Sequence, residues 1–190
     1  PIWLTETADA ACGGNAWDAT FLDSFRYLDQ LGRLAKAGVQ VVMHNTLTGS
    51  DYGLLEEKSF APRPDYWAAW LWRRLMGTTV LDPRIPARAG LHVYAHCTPE
   101  RTGGVSILAI NISRDAPQAL TLPLASERYV LRASHLQSTT VELNGTTLSL
   151  GAGDALPAIT AKLTPAGVVT LPAATITFLI IPRAANPACR

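Results

Sequence analysis

Glu6 occupies a position in the sequence at which a carboxylate could act in catalysis. It follows the apolar run PIWL inside the stretch WLTETADAACGG. That run is typical of a buried parallel strand, and a carboxylate at the carboxyl end of such a strand occupies the usual catalytic position of a (β/α)₈ barrel. Position alone also fits a solvent-facing glutamate. A glutamate acting on a glycosidic bond by a retaining mechanism needs a second carboxyl group about 5–5.5 Å away. The nearby candidates, Asp9 and Asp18, lie in a loop and a helix cap, so we expect the partner to lie outside this chain.

The first third of the chain alternates strand and helix patterns that would position this carboxylate. Apolar residues recur three or four apart from Phe21 to Ala35, which predicts a helix that begins after a cap at Asp18 or Thr20 and ends at Gly38. The run 39–43 predicts a buried strand, 44–60 a long loop, and 64–77 a second helix whose tryptophans (Trp67, Trp70 and Trp72) belong to the core. These are two β/α units, which cannot close a barrel alone.

From about residue 79 the pattern changes to short β-rich runs separated by Gly, Pro, Asn and Asp. Asn144-Gly145 between two such runs is a strong hairpin signal. The spacing predicts an antiparallel β-sandwich. We therefore expect residues 1–80 to form the last part of a barrel and residues 81–190 to form a sandwich domain, with a linker over 78–90. The predicted strands are 91–96, 105–112, 119–124, 129–133, 139–143, 146–150, 168–171 and 175–181.

Composition excludes several functional classes. The 190 residues carry a formal net charge of +1, which gives no electrostatic argument for nucleic acid as a partner. No stretch approaches the roughly 20 apolar residues of a membrane span. The three cysteines form no CxxC pair and the histidines have no metal-ligand spacing, so we expect no metal and no cofactor. Pro1 is not a natural start, which favours a processed piece of a longer chain, and the Ala, Arg and Trp usage favours a bacterial source.

Several long motifs resemble one known family. WLTETADAACGG, FLDSFRYLDQLGRLAKAGVQVVMHNTLTGSDYGLL, PRPDYWAAWLWRRLMGTTVL and HVYAHC are similar to the C-terminal portion of heparanases, which belong to glycoside hydrolase family 79 with related β-glucuronidases. The resemblance covers the first 80 residues almost continuously and is weak through much of the remainder. It implies a (β/α)₈ TIM barrel followed by a β-sandwich.

The resemblance also implies roles for particular residues. Glu6 matches the nucleophile of a retaining mechanism. The acid/base glutamate of the family lies in an Asn-Glu motif that this sequence does not contain, so it would come from an N-terminal barrel segment acting as partner. The resemblance implies contacts to the glucuronic acid carboxylate from Gly13, Gly14 and Tyr52. It also implies a contact to the sugar from Asn45.

Other interpretations of these residues stay open. The glycine pair also fits a flexible turn, and Tyr52 also fits a loop anchor. We expect His44 to support the loop rather than to transfer protons.

The cysteines fit the same resemblance. Cys97 and Cys189 match a family disulfide, which implies an oxidising compartment and a secreted or periplasmic protein. Cys12 would be free, and we expect it to be a small buried apolar residue. The sequons at Asn111 and Asn144 are explained by strand position and turn chemistry without glycans.

The function implied is that of a retaining endo-β-glucuronidase, which cleaves β-linked glucuronic acid in oligosaccharides or in glycosaminoglycans such as heparan sulfate. We expect the chain alone to be inactive. Two alternatives stay open: an exo-acting β-glucuronidase of small or terminal glucuronides, and a non-catalytic carbohydrate-binding β-sandwich module whose residues 85–190 fold alone.

Overall fold

The computed structural model describes residues 1–10, 12–86 and 88–190. It is mostly β-structure with two α-helices, α1 (Phe21–Lys36) and α2 (Pro64–Leu75), and a 3₁₀ turn at Ala152–Asp154. The strands are β1 (Ile2–Thr7), β2 (Val39–His44), β3 (Val80–Leu81), β4 (Leu91–Cys97), β5 (Val105–Asn111), β6 (Gln118–Leu122), β7 (Ser126–Arg132), β8 (Glu142–Leu143), β9 (Thr146–Thr147), β10 (Lys162–Thr164), β11 (Gly167–Leu171) and β12 (Thr175–Ile181).

The chain divides into two compact units, each described here by itself. The first comprises residues 1–70, 133–141 and 147–157, and the second comprises 71–132, 142–146 and 158–190. The predicted domain division at residue 80 stays an interpretation.

The first unit contains the predicted strand–helix–strand succession. β1 and β2 pair in parallel, and α1 connects them. One face of α1 buries Phe21, Phe25 and Leu28, as the helical spacing predicts. Gly38 has φ +84°, the left-handed conformation expected just beyond a helix end. The N-cap is Thr20, although its hydroxyl donates to the Trp17 carbonyl rather than to the first turn of the helix.

The predictions that the runs of β1 and β2 are buried are wrong, because neither strand contains a buried residue. Ile2 is 59% and Trp3 57% exposed, and Met43 on β2 is 43% exposed. The physical reason is the size of the sheet: β1 and β2 form a two-stranded sheet, whereas parallel strands become buried when strands on either side and helices on both faces cover them.

The second unit is built on antiparallel strands. The larger sheet has the order β3-β4-β5-β12-β7-β8-β9, with β10 paired to β7, and a separate two-stranded sheet pairs β6 with β11. The longest pairings in this sheet, β4 with β5 and β5 with β12, extend over seven residues each. Most of the backbone pairing of the sheet therefore lies at its centre.

One hydrophobic core joins the two sheets of the second unit. β12 is buried along its whole length, because it lies between β5 and β7 in the middle of the larger sheet. Side chains from β4, β5 and β12 meet those of β6 and β11. The core residues are Leu91, Ala95, Ile107, Ala109, Leu120, Leu122, Val169, Leu171, Leu179 and Ile181.

Strand prediction succeeds where the β-pattern is long. Six of the eight predicted runs correspond closely to observed strands, and the other two shorten to the two-residue strands β8 and β9. The predicted hairpin turn lies between them, where Asn144 and Gly145 both have positive φ. β3 and β10 were not predicted, because two or three residues carry no readable alternation. The Asn111 side chain is buried and donates to three backbone carbonyls, in agreement with a structural role.

The disulfide implied by the resemblance is present. Cys97 at the end of β4 is bonded to Cys189, 92 residues later, and both are buried. It ties the end of the described chain to the larger sheet. Neither of the two helices combines the length and the apolar character that a membrane crossing requires, as judged over the described residues.

Candidate active site

Glu6 and Asn45 meet at the carboxyl ends of β1 and β2. Because the strands are parallel, their ends lie at the same edge of the sheet, with Thr7 opposite His44. The Asn45 N–H donates to the Thr7 carbonyl at 2.8 Å, which extends the ladder by one residue. The Asn45 amide Nδ2 then donates to Glu6 Oε1 at 3.0 Å. This bond fixes one oxygen of an exposed carboxylate, and no other described residue is hydrogen-bonded to the second oxygen. Glu6 is the penultimate residue of β1 rather than the first residue after it.

The glycine pair lies against the loop that carries Tyr52. The Asp51 N–H donates to the Gly13 carbonyl at 3.1 Å. A Cβ atom placed on Gly14 would lie 2.5 Å from Asp18 Oδ2 and 3.1 Å from Tyr52 Cδ1, and Gly14 has φ +89°. Gly14 therefore permits a close approach of two loops that a side chain would block. A Cβ on Gly13 would meet nothing within 4 Å.

The Tyr52 loop is held by a residue that the sequence did not single out. Arg63 Nη1 donates to the carbonyl oxygens of Ser50, Asp51 and Gly53, at 2.7, 2.6 and 3.1 Å. One guanidinium thus gathers the carbonyls on both sides of Tyr52. The only sequence signal was its place directly before the proline of α2, which does not reveal a loop-binding role.

His44 supports the same loop. Its Nε2 lies 2.7 Å from the Tyr52 carbonyl, which can only accept, so the histidine Nε2–H donates this bond. The edge of its ring meets the Tyr27 ring with centroids 5.2 Å apart. Burial lowers the pKa of His44, outweighing the hydrogen bond that raises it, so the imidazole is neutral near pH 7. These contacts agree with the expected supporting role.

A pair of carboxyl groups lies behind the glycine loop. Asp18 is buried, and its Oδ2 accepts from the Asn15 N–H at 2.8 Å, while Asn15 Nδ2 donates to Asp9 at 3.1 Å. Burial, followed by the hydrogen bond with Asp9, raises the pKa of Asp18 to about 6, and that same hydrogen bond is the main cause of a lowered pKa at Asp9. Asp18 therefore holds its proton to a higher pH than Asp9 does, and both carboxyl groups are engaged in loop structure through Asn15.

A second buried acid lies beneath the helices. Asp65, in the first turn of α2, accepts from Ser24 Oγ at 2.7 Å, and burial followed by repulsion from Asp23 raises its pKa strongly. Asp23 in turn pairs with Arg26, which also reaches Asp9 at 3.2 Å. Arg26 thus connects the helix acids to the glycine loop.

Cys12 differs from its prediction. It is free and exposed, with φ +58°, rather than a buried apolar residue. The reason is local, because Cys12 lies with Gly13 in an exposed turn. In the described parts of the chain no three His, Cys, Asp or Glu side chains are grouped closely enough to hold a metal ion.

Solved structures with similar folds are glycoside hydrolases. The chain superimposes with a TM-score of 0.68 on a thermostable GH51 α-L-arabinofuranosidase from Thermotoga petrophila, at 12% identity, covering 95% of this chain and 43% of that one. A glycoside hydrolase family 30 subfamily 8 xylanase from Clostridium acetobutylicum gives 0.60 at 16% identity, covering 94% and 42%. The fold is therefore that of glycoside hydrolases.

Sequence relatives are more specific. Mouse heparanase is 36% identical over 205 residues, covering 99% of this chain and 38% of the relative. Baicalin-β-D-glucuronidase from Scutellaria baicalensis is 34% identical over 165 residues, covering 83% and 31%. No protein-family model matches the chain. These homologues support the assignment of this chain to a glycoside hydrolase of the heparanase family. The chain spans well under half of the length of either relative.

Proposed function

We propose that this chain supplies the nucleophile and part of the sugar-binding site of a retaining β-glucuronidase of heparanase type, with Glu6 as nucleophile. The observation that carries the proposal is the hydrogen bond from Asn45 Nδ2 to Glu6 Oε1 at the carboxyl ends of two parallel strands. One carboxylate oxygen is oriented and the other is available for attack. The strand ends of barrel hydrolases are where catalytic carboxylates act.

The proposed reaction has two displacements. In the first, Glu6 attacks the anomeric carbon, the glycosidic C–O bond breaks, and an acid/base carboxyl group gives its proton to the leaving oxygen. In the second, that group takes a proton from water, the water oxygen attacks the anomeric carbon, and Glu6 is released. The acid/base group would belong to an N-terminal barrel segment, since the chain contains no Asn-Glu dipeptide. Residues 1–80 would then complete a (β/α)₈ barrel, with a β-sandwich in 81–190. On this proposal the chain alone is inactive.

Recognition of the glucuronic acid carboxylate is proposed for Gly13, Gly14 and Tyr52. Supporting this, both glycines have positive φ and lie against the Tyr52 loop. A glycine backbone lets an anionic oxygen approach N–H groups that a side chain would shield. Asn45 would serve the sugar through its orientation of Glu6.

Two modes of action are separated by substrate length. An endo-acting enzyme on heparan-sulfate-like chains is supported by the heparanase relatives, and an exo-acting enzyme by the relative named for a small glucuronide, baicalin. Release of monosaccharide glucuronic acid from a polymer end indicates exo action, whereas a fall in polymer size indicates endo action.

The disulfide favours a secreted or periplasmic protein. The bacterial source stays a prediction from composition.

The experiment is covalent labelling of the protein that contains this chain. A 2-fluoro-glucuronide slows the second displacement, so the glycosyl-enzyme accumulates, and peptide mass spectrometry locates the label. We expect the label on Glu6. We expect Glu6→Gln to lose at least about 10³-fold in kcat. Glu57→Gln is the control and should retain activity, because Glu57 is an exposed glutamate of the loop between β2 and α2. A label on another residue, or full turnover by Glu6→Gln, would refute the assignment. A carbohydrate-binding module predicts no label at all.

A further inference from the structure

Basic side chains line a small cavity in the second unit. Arg128 and Arg132 on β7 and Lys162 on β10 share it with Val130, Asn144, Gly145 and Pro172, and its volume is about 190 Å³. We call these three cations the basic cluster. The cavity is smaller than the 300–1,000 Å³ of a typical small-molecule pocket, so it suits one charged group of a larger ligand.

The basic cluster lies on an unusual face of the sheet. Arg128 is directly opposite Leu179 of β12, a member of the hydrophobic core, so its side chain leaves the sheet on the core side. Residues 128, 130 and 132 alternate along β7 and share that face. Pro172, which follows the last core residue of β11, forms one wall of the cavity. Arg128, which is partly buried, therefore extends the core face of the sheet, while Arg132 and Lys162 are exposed to solvent.

Two of the three charges of the basic cluster are not balanced by the described residues. Arg128 and Lys162 are direct cross-strand partners, and like charges in that relation destabilise a sheet. Neither makes an ion pair among the residues that the structure describes, and the buried Nε of Arg128 has no hydrogen-bond partner there. Only Arg132 is compensated, by Glu142 at 3.0 Å. An anion between the two unpaired cations would relieve the repulsion.

The floor of the cavity is rigid and already satisfied. Asn144 Nδ2 donates to the carbonyls of Arg128 and Thr160, and its Oδ1 accepts from the Val130 N–H. The amide therefore offers no spare donor, and recognition rests on the cations. The lining holds no aromatic side chain among the described residues, which argues against stacking of nucleic-acid bases.

We infer that the basic cluster, which belongs to the second unit, binds a sulfate or carboxylate group of an anionic polysaccharide. The choice of polysaccharide over other polyanions rests on the proposed function. The site adds affinity for a long anionic chain and takes no part in bond cleavage.

The test uses the protein that contains this chain and a heparin-derived hexasaccharide, with affinity measured by calorimetry at low and high salt. Arg128→Gln and Lys162→Gln should each weaken binding roughly twofold to fivefold, and the double variant about tenfold, as for exposed charge pairs. High salt should erase the difference. Arg114→Gln, an exposed arginine of the same unit, is the matched control and should bind as the parent does. Hydrolysis of a small aryl glucuronide should be unchanged in all variants.

Stability separates a binding role from a structural one. Without ligand, Lys162→Gln should leave the Tm unchanged or higher, because a like-charge contact is removed; inorganic sulfate should raise the Tm of the parent more than that of the variant. Equal hexasaccharide binding by the double variant and the parent overturns the inference. Equal, cluster-dependent binding of polyglutamate overturns the polysaccharide assignment. If the variants lose binding while the parent does not hydrolyse glucuronides, the proposed function fails and the site stands.

Discussion

Replacing Gly14 by alanine tests the close approach of the two loops beside Glu6. Gly13 and Gly14 both have positive φ, +110° and +89°, so alanine at either position carries torsional strain of about 1–2 kcal/mol. Only at Gly14 does the new Cβ meet neighbours, at 2.5 Å from Asp18 Oδ2, 2.9 Å from Asp51 Cβ and 3.1 Å from Tyr52 Cδ1. Overpacking of this kind adds about 1–3 kcal/mol.

The expected loss in free energy of unfolding is therefore about 2–5 kcal/mol for Gly14→Ala and about 1–2 kcal/mol for Gly13→Ala. Guanidinium denaturation of the two variants and the parent measures this difference, and the torsional term largely cancels between them. Because the clash displaces the Tyr52 loop, KM for an aryl glucuronide should rise more in Gly14→Ala. Equal losses in the two variants would show that the loops do not approach as the structure describes.

Three further predictions follow from contacts described above. Cys97→Ser should lower the free energy of unfolding by about 4–5 kcal/mol, because the disulfide closes a loop of 92 residues. Cys12→Ser is the control and should leave the denaturation midpoint unchanged, because Cys12 is free. A Cys97→Ser variant with unchanged stability would contradict the disulfide. Asp18→Asn should match the parent near pH 4 and be more stable than the parent by on the order of 1–3 kcal/mol above pH 6, because a pKa raised to about 6 means that the stability of the parent falls as the carboxyl ionises. Thermal melts across pH 4–8 measure this difference, and a difference that does not change with pH would exclude the raised pKa of Asp18. Arg63→Met should raise KM for an aryl glucuronide roughly tenfold through the freed Tyr52 loop, with Arg63→Lys intermediate; identical kinetics for both variants would show that the three carbonyl bonds are dispensable.

The helices and long strands could be predicted from the sequence because each carries several turns or alternations of pattern. α1 begins at Phe21, where its apolar spacing begins, and β12 coincides with its predicted run. β10 could not be predicted, because its three residues, KLT, form a strand only by pairing with β7.

The candidate site divides in the same way. Glu6 was indicated by its place at the end of a strand-like run, and Asn45 by the resemblance to the heparanase family. The roles of Arg63, Asp9 and Asp18 could not be predicted, because they depend on how loops fold back on one another. The exposure of β1 could not be predicted from the sequence either. Its apolar run is typical of a buried strand, but the two-stranded sheet leaves Trp3 more than half exposed.

The bond between Cys97 and Cys189 has a consequence for a chain that is cut. The exposed segment 151–156 lies between these two cysteines in sequence and offers backbone that a protease can reach. A cut there would leave both fragments covalently attached, and the strand pairings β5–β12 and β7–β12 would still hold one fragment against the other. Nicking would become visible only after reduction, as two bands in place of one, while the sheet itself stays assembled.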